Sequence, residues 1–332
     1  MFKKQPKTWM NKQDIEGICV LVQSGFSFQD ALRLLKDNKN KTCFDQLLSQ
    51  LEKGEEIENF IQIYFSKEYC MYLKPFCMFL PFTQSLTLTM KCIKEEKNYR
   101  TNILKELLYP SLLFIGTWMG LTVFTFLCFP TLITMFTNFK MDPTTLLSIR
   151  FIFICICIFI TIVLLSMSVI ILLWCNKMCR CILYEMYCKL NKNNMIKTYQ
   201  SNLFARFYRQ CSMSGIKTKE TMKLLSNIEI HPILNLMSTT IQKSLTRGEK
   251  MEEALENIYL DRTLVQYMKV AIYSSSMDEM LEGYIRINET KMKRKIKRFA
   301  KGCQLISYGC IGFIIVIVYQ ILILPLTLMA QL

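Results

Sequence analysis

Three long runs without a charged residue constrain the fold of this chain more than any other feature. They cover residues 111–136, 151–174 and 305–330 of the 332. A helix needs about 20 apolar residues to cross a hydrocarbon core of about 30 Å. In lipid, a helix also satisfies its own backbone hydrogen-bonding groups. The predicted membrane-spanning helices are therefore 110–137, 151–175 and 305–330.

Basic residues flank these runs. The formal net charge is +15, and Lys177 and Arg180 follow the second run. A basic segment precedes the third run and consists of Lys291, Lys293, Arg294, Lys295, Lys297, Arg298 and Lys301. Such segments favour the cytoplasmic face and attract anionic lipid headgroups. Because the bilayer accounts for this charge, we expect no direct binding of nucleic acid.

The distribution of charge predicts a multi-pass protein of the plasma membrane. The connection at 138–150 carries only Lys140 and Arg150 as basic residues, so we place it outside the cell. The N-terminus would be cytoplasmic and the C-terminus extracytoplasmic. The first ten residues contain lysines but no apolar stretch, so we expect no cleavable signal peptide.

The predicted fold class is an all-α membrane protein with two homologous cytoplasmic helical bundles. The cytoplasmic domains would be 1–109 and 176–304, with the three membrane-spanning helices between and after them. The homology rests on repeated phrases. Gln23-Ser24-Gly25 is followed by Leu34-Leu35, and Met213-Ser214-Gly215 is followed by Leu224-Leu225 at the same spacing. Glycine is typical of a left-handed helix stop, and Ser27 or Thr218 would cap the next helix.

A second phrase is also duplicated. Gly54-Glu55 and Gly248-Glu249 each follow a basic residue and precede apolar residues at helical spacing. Glutamate in the first turn favours the positive end of a helix. We interpret the two glycines as turn residues and the two glutamates as residues at helix starts, in preference to ligand contacts or catalytic acids.

Motifs for catalysis and cofactor binding are missing from the sequence. There is no phosphate-binding G-x-x-x-x-G-K-[ST] loop and no G-x-G-x-x-G fingerprint. His231 is the single histidine, and the two C-x-C pairs lack the spacing of a zinc site. The uncharged spans also lack the ionisable groups of coupled transporters. We therefore predict no enzyme activity, no cofactor and no metal site.

In the order of these phrases, the chain resembles the inner-membrane platform family of type II secretion F and type IV pilus proteins. The resemblance runs from about Ile15 to Leu328. Besides the duplicated glycine phrases, it is carried by Tyr109-Pro110 where the chain enters the first span, Phe129-Pro130 where it leaves that span and Leu324-Pro325 at the end of the third.

This chain departs from the family in one motif. A Gly-Glu-x-Ser-Gly-like turn is expected late in each cytoplasmic domain. The corresponding segments, 79–84 near Phe82 and 272–277 near Ser275, lack the glycine–glutamate pair. An acidic or metal contact at that turn is therefore in doubt. In the loss of this motif and in its bias toward Lys, Asn and Ile, the chain resembles the competence-pilus branch of the family in Gram-positive bacteria.

The resemblance implies a platform that couples a hexameric cytoplasmic assembly ATPase to the polymerisation of pilin-like subunits in the bilayer. A homo-oligomer is also expected. Two alternatives remain open at this point. The chain could be a component of a transporter or permease, or a membrane enzyme with an unrecognised site.

Overall fold

The computed structural model describes residues 10–38, 40–53, 61–128, 177–190, 195–274 and 276–329, with isolated helical positions between 130 and 168. All regular elements in these residues are helical. The residues form two compact units. The first unit comprises Met1–Arg100 and Arg180–Met292, and the second comprises Thr101–Cys179 and Lys293–Leu332.

The helix order of the first half of the chain recurs in the second half. The first set, called the first repeat, is α1 Lys12–Gln23, α2 Phe28–Leu34, α3 Lys41–Glu52, α4 Ile61–Tyr64, α5 Lys67–Cys77 and α6 Phe82–Val123. A further helix, α7, spans Lys177–Leu190. The second repeat is α8 Met195–Met213, α9 Thr218–Ser226, α10 Pro232–Thr246, α11 Met251–Leu255, α12 Arg262–Ile272 and α13 Met277–Met329. In both repeats the last helix is by far the longest, with 42 residues in α6 and 53 in α13.

Local sequence explains how the first repeat begins. Asn11 caps α1, and the Asp14 carboxylate accepts a hydrogen bond from the Asn11 backbone N–H at 3.2 Å. This reciprocal capping box satisfies two donors that the helix start would otherwise leave unpaired. At the next helix, Ser27 caps α2 by accepting from the Asp30 N–H at 3.1 Å, as predicted.

The second repeat corrects the predicted cap by one residue. Lys217, not Thr218, is the N-cap of α9, and Thr218 is its first residue. The Thr218 hydroxyl instead lies 3.1 Å from the Tyr208 hydroxyl on α8. Lys217 stands where the first repeat has Ser27, because each lies two residues after the turn glycine. The N-cap of α9 therefore lacks the side-chain hydrogen bond that Ser27 makes at the start of α2.

Both repeats contribute to one hydrophobic core in the first unit. Tyr72 on α5 and Phe207 on α8 are almost fully buried, and their ring centroids are 5.8 Å apart. Phe28 packs edge-on against Phe82, with ring centroids 5.0 Å apart. The segments predicted as separate domains at 1–109 and 176–304 thus share a core in this unit.

Helix α6 and its continuation contain an apolar stretch that is long enough to cross a membrane. By length and composition, one helix in the described part of the chain could cross a membrane, over Phe82–Leu127. It includes a π-helical turn at Phe124–Cys128. The helix that contains the predicted first span thus begins at Phe82, well before residue 110. The predicted third span falls within α13 as far as Met329, and most of the predicted second span lies outside the described residues.

Candidate functional site

Arg206 is the centre of a charged contact between the two repeats. It lies on α8 and is only 9% exposed. Its guanidinium pairs with Glu289 on α13 and with Glu95 on α6, the latter at 3.5 Å. The same group lies over the Tyr99 ring, 4.7 Å from its centroid. One buried cation therefore connects an acid of its own repeat with an acid and an aromatic ring of the other.

Arg209 extends this contact by one turn of α8. It pairs with Glu282 on α13 at 2.8 Å and reaches Glu95 at 4.0 Å. The Gln210 amide donates to Glu95 at 2.5 Å. Glu95 therefore has two ion pairs and one hydrogen bond with side chains on one face of α8. This cluster of Glu95, Arg206, Arg209, Gln210, Glu282 and Glu289 is named the charged joint.

A second polar contact joins the repeats at Glu96, the residue after Glu95. Glu96 accepts from the Tyr72 hydroxyl at 2.6 Å and lies 3.0 Å from His231 Nε2. His231 Nε2 is also 2.6 Å from the Tyr72 hydroxyl oxygen. Tyr72 has one hydroxyl hydrogen, which Glu96 accepts, so Nε2 of His231 carries the hydrogen for both of its contacts. The single histidine is thus a packed and hydrogen-bonded residue.

The electrostatics at Glu96 favour its ionised form. Burial acts to raise the pKa of this carboxyl, but the contacts with His231 and Tyr72 outweigh burial and leave the pKa below its ordinary value. Burial raises the pKa of the Tyr72 hydroxyl, which therefore stays protonated as a donor. The protonation states agree with the hydrogen bonds.

Substitution of Glu96 should change how stability depends on pH. Since the pKa of Glu96 is lowered by folding, its contribution is complete above the unfolded value of about 4.3 and is lost as pH falls through the lower folded value. We expect Glu96→Gln to destabilise the chain by about 1 kcal/mol at pH 7. The difference from the wild type should shrink toward pH 3, as measured by thermal unfolding at several pH values.

Glu52→Gln serves as the control for this experiment, because Glu52 is 59% exposed and pairs with Arg33 at the surface. It should change stability by less than about 0.5 kcal/mol. A constant difference between Glu96→Gln and wild type from pH 7 to pH 3 would contradict the role assigned to Glu96.

Each acid of the charged joint pairs with at least one arginine side chain. The nearby thiols are buried. Burial raises the pKa of Cys211 to about 12, so its reactive thiolate is suppressed. Within the described ranges, no group of three or more His, Cys, Asp or Glu could hold a metal ion.

Three of the predicted turn glycines have the left-handed backbone conformation. Their φ angles are +96° at Gly25, +77° at Gly215 and +84° at Gly248. After Gly215, for example, the N–H of Ile216 donates to the carbonyl of Cys211 at 3.2 Å. The corresponding bonds follow Gly25 and Gly248, and together they form Schellman motifs.

The glutamates of the second phrase need a correction. Glu249 precedes the N-cap of α11 and does not lie in its first turn. Its N–H completes the Schellman motif by donating to Ser244 at 3.2 Å. Glu252 and Glu253 occupy the first turn instead. Gly54 and Glu55 lie outside the described residues.

The prolines of the family phrases lie within helical segments. Pro110 lies inside α6 and is buried, and Pro325 lies inside α13, which continues to Met329. Pro130 has helical backbone shortly after the π-helical turn. Both a proline and a π-helical turn are recognised causes of a kink in a helix.

The predicted basic segment lies on α13. Met292 and Ile296 are buried, whereas the exposed members of the segment recur at helical spacing. These exposed residues are Lys293, Arg294, Lys297, Arg298 and Lys301. The segment therefore has an apolar face and a basic face, and Lys291 and Lys295 are partly buried between them.

Sequence reasoning did not identify the charged joint. Its signal was the presence of Arg206 and Arg209 on an aromatic-rich helix without acids, and of Glu95-Glu96 in a helix leading to an apolar span. Charged residues on such helices predict an oppositely charged partner side chain, but the sequence does not identify that residue. The structure supplies the partner.

A comparison with family models matches the second repeat. Residues 204–325 match the model described as Type II secretion system (T2SS), protein F. The matched segment includes Arg206, Arg209 and most of α13. A comparison with curated proteins finds no match. The match over 204–325 supports the resemblance to the inner-membrane platform family of type II secretion F and type IV pilus proteins.

Proposed function

We propose that this chain is the platform protein of a type IV pilus-like competence machine and couples a cytoplasmic assembly ATPase to pilin polymerisation. The observation that carries the proposal is the family match over residues 204–325. Proteins of this family are inner-membrane proteins, in agreement with the apolar helix over Phe82–Leu127. The competence branch rests on the degenerate turns and the composition bias.

The charged joint gives the proposal a physical basis. A platform has to pass motion from a motor to subunits in the bilayer without the cytoplasmic helices separating. Arg206 and Arg209 hold α6 of the first repeat and α13 of the second in one network. A displacement applied to either repeat therefore acts on both, because separating them would leave buried charges unpaired.

The proposed partners are a hexameric assembly ATPase, pilin-like subunits, the lipid bilayer and further copies of this chain. The proposed topology is multi-pass in the plasma membrane with a cytoplasmic N-terminus. We propose no catalytic residue and no cofactor. A transporter component is the second candidate, and a solute flux that requires only this chain would favour it.

Gentle-detergent purification of the tagged chain from its native membrane tests the proposal. We expect a secretion-type ATPase and pilin-like subunits to copurify, because the platform contacts both. Deletion of the gene should abolish pilus assembly and DNA uptake while the amounts of ATPase and pilin are unchanged. The measurements are mass spectrometry of the eluate and transformation frequency.

An untagged strain is the control for the purification, and a plasmid copy of the gene is the control for the deletion. Recovery of a solute-binding protein or a transport ATPase in place of the pilus components would overturn the proposal. Normal pilus assembly in the deletion strain would also overturn it.

A further inference from the structure

Two pairs of helices occupy corresponding positions in the two repeats. Helices α1 and α8 end at the equivalent glycines Gly25 and Gly215, while α6 and α13 begin the long final segments at Phe82 and Met277. Within each repeat the two helices contact each other, α1 with α6 and α8 with α13. Cys19 Sγ on α1 lies 3.9 Å from the carbonyl oxygen of Leu86 on α6, and the Asn202 amide on α8 donates to the carbonyl of Ile285 on α13 at 3.4 Å.

The burial pattern supports this correspondence. Counted from their first residues, α6 and α13 have three positions that are buried in both helices. The matched pairs are Leu86 with Leu281, Thr89 with Tyr284, and Ile93 with Asn288, all of them buried. The groove between α1 and α6 is therefore the counterpart of the groove between α8 and α13.

In the second repeat this groove is occupied. Its α8 side presents Asn202, Arg206 and Gln210 at successive turns, and these residues are 0%, 9% and 6% exposed. The covering element is α6 of the first repeat, which inserts Glu95 and Tyr99. The occupant of the second groove is thus a helix with an acid and an aromatic residue one turn apart.

In the first repeat the corresponding groove is open. Counted from the turn glycine, Lys12, Glu16 and Val20 correspond to Asn202, Arg206 and Gln210. All three are exposed, and Val20 is 61% exposed. A cavity of about 550 Å³ lies between α1 and α6 at this place. This groove, lined by Lys12, Glu16, Val20, Lys91, Lys94 and Lys97, is named the first-repeat groove.

The charge of the first-repeat groove indicates the chemistry of its occupant. Four lysines and one glutamate line it. Lys12 pairs with Glu16 at 3.6 Å, whereas Lys91, Lys94 and Lys97 form no ion pair with the described carboxylates. Contact with the Lys12 ammonium lowers the pKa of Lys97, since two like charges face each other there. An acidic ligand would relieve this repulsion.

A second copy of the chain does not supply a suitable helix in the corresponding arrangement. There, α13 of the second copy would take the place of α6. The positions of Glu95 and Tyr99 would then be taken by Thr290, which directly precedes the basic segment, and by Arg294 within it. Lysines of the groove would face lysines and arginines, which is unfavourable. The net charge of +15 adds to this repulsion.

We infer that the first-repeat groove binds an acidic helix of a different protein, in the way that the second repeat binds α6. The occupant would place acidic side chains against Lys91, Lys94 and Lys97 and an apolar side chain against Val20. The inference follows from comparison of the two repeats and stands independently of the proposed platform function.

Peptide binding to the full-length chain in zwitterionic detergent tests the inference. The probe is a capped helical peptide of about 18 residues, long enough to hold helix, with Glu and Tyr one turn apart and two further Glu on the same face. The comparison peptide has Gln in place of each Glu. We expect the acidic peptide to bind about tenfold more tightly than the Gln peptide by fluorescence anisotropy.

Substitutions then locate the binding site. Lys91→Glu together with Lys94→Glu should weaken binding of the acidic peptide by about tenfold or more. Lys219→Glu together with Lys243→Glu makes the same change of charge at exposed positions of the second repeat and should alter binding by less than about twofold.

Three results would overturn the inference. One is equal binding of the acidic and Gln peptides, or no binding of either. Another is an equal loss of affinity in both pairs of variants, which would show attraction to the net charge alone. The third is an oligomer of the purified chain that Lys91→Glu with Lys94→Glu dissociates, which would assign the groove to a second copy.

Discussion

Replacement of Arg206 by methionine should lower the free energy of unfolding of the first unit by about 2–4 kcal/mol. The reason is that methionine retains much of the packing of the side chain but removes its charge. Glu95 and Glu289, 27% and 33% exposed, would keep their negative charges without this partner. Because both acids are partly solvated, the expected loss lies below that of a fully buried pair. Thermal unfolding of the full chain in detergent measures it.

The control is Arg286→Met on α13. Arg286 is 77% exposed and pairs with Glu282 one turn away, so its loss should change stability by less than about 0.5 kcal/mol. Adding Glu95→Gln and Glu289→Gln to Arg206→Met should recover at least half of the lost stability, since the two side chains that lost Arg206 are then uncharged. Equal destabilisation by Arg206→Met and Arg286→Met would show that the joint contributes no more than a surface ion pair.

Features set by neighbouring residues could be predicted from the sequence. The left-handed conformation at Gly25, Gly215 and Gly248 follows from the glycine phrases, because a Cβ is disfavoured there. The glycine phrases also mark where one helix ends and the next begins, so the order of the helices around these turns could be predicted as well. At Thr218 and Glu249 the prediction was wrong by one or two residues, since local preference does not fix the first residue of a helix.

Contacts between distant segments could not be predicted in this way. Glu95 and Gln210 are 115 residues apart, and no local period indicates that they meet. The similarity of the two repeats led to the prediction of two separate helical bundles, whereas the two repeats share one core. The residues at equivalent places, such as Glu16 and Arg206, have opposite charges, so the repeats differ where they contact other helices. The similar order of helices therefore does not by itself indicate which helices the two repeats contact.

Replacement of Gly215 by valine should destabilise the first unit by about 1–3 kcal/mol, at the upper end because valine is β-branched. The φ angle of Gly215 is +77°, and a Cβ there would meet no atom within 4 Å. The expected loss therefore comes from the backbone conformation and not from a collision. It should appear as a lower midpoint of thermal unfolding.

The matched control is Gly283→Ala in the interior of α13. A Cβ at Gly283 would also meet no atom within 4 Å, but its backbone is helical. Alanine should therefore stabilise the helix by about 0.5–1 kcal/mol, so the two substitutions act in opposite directions. If Gly215→Val is as stable as the wild type, the turn can adopt a backbone conformation that any residue tolerates. Glycine would then not be required at Gly215 for the turn to form.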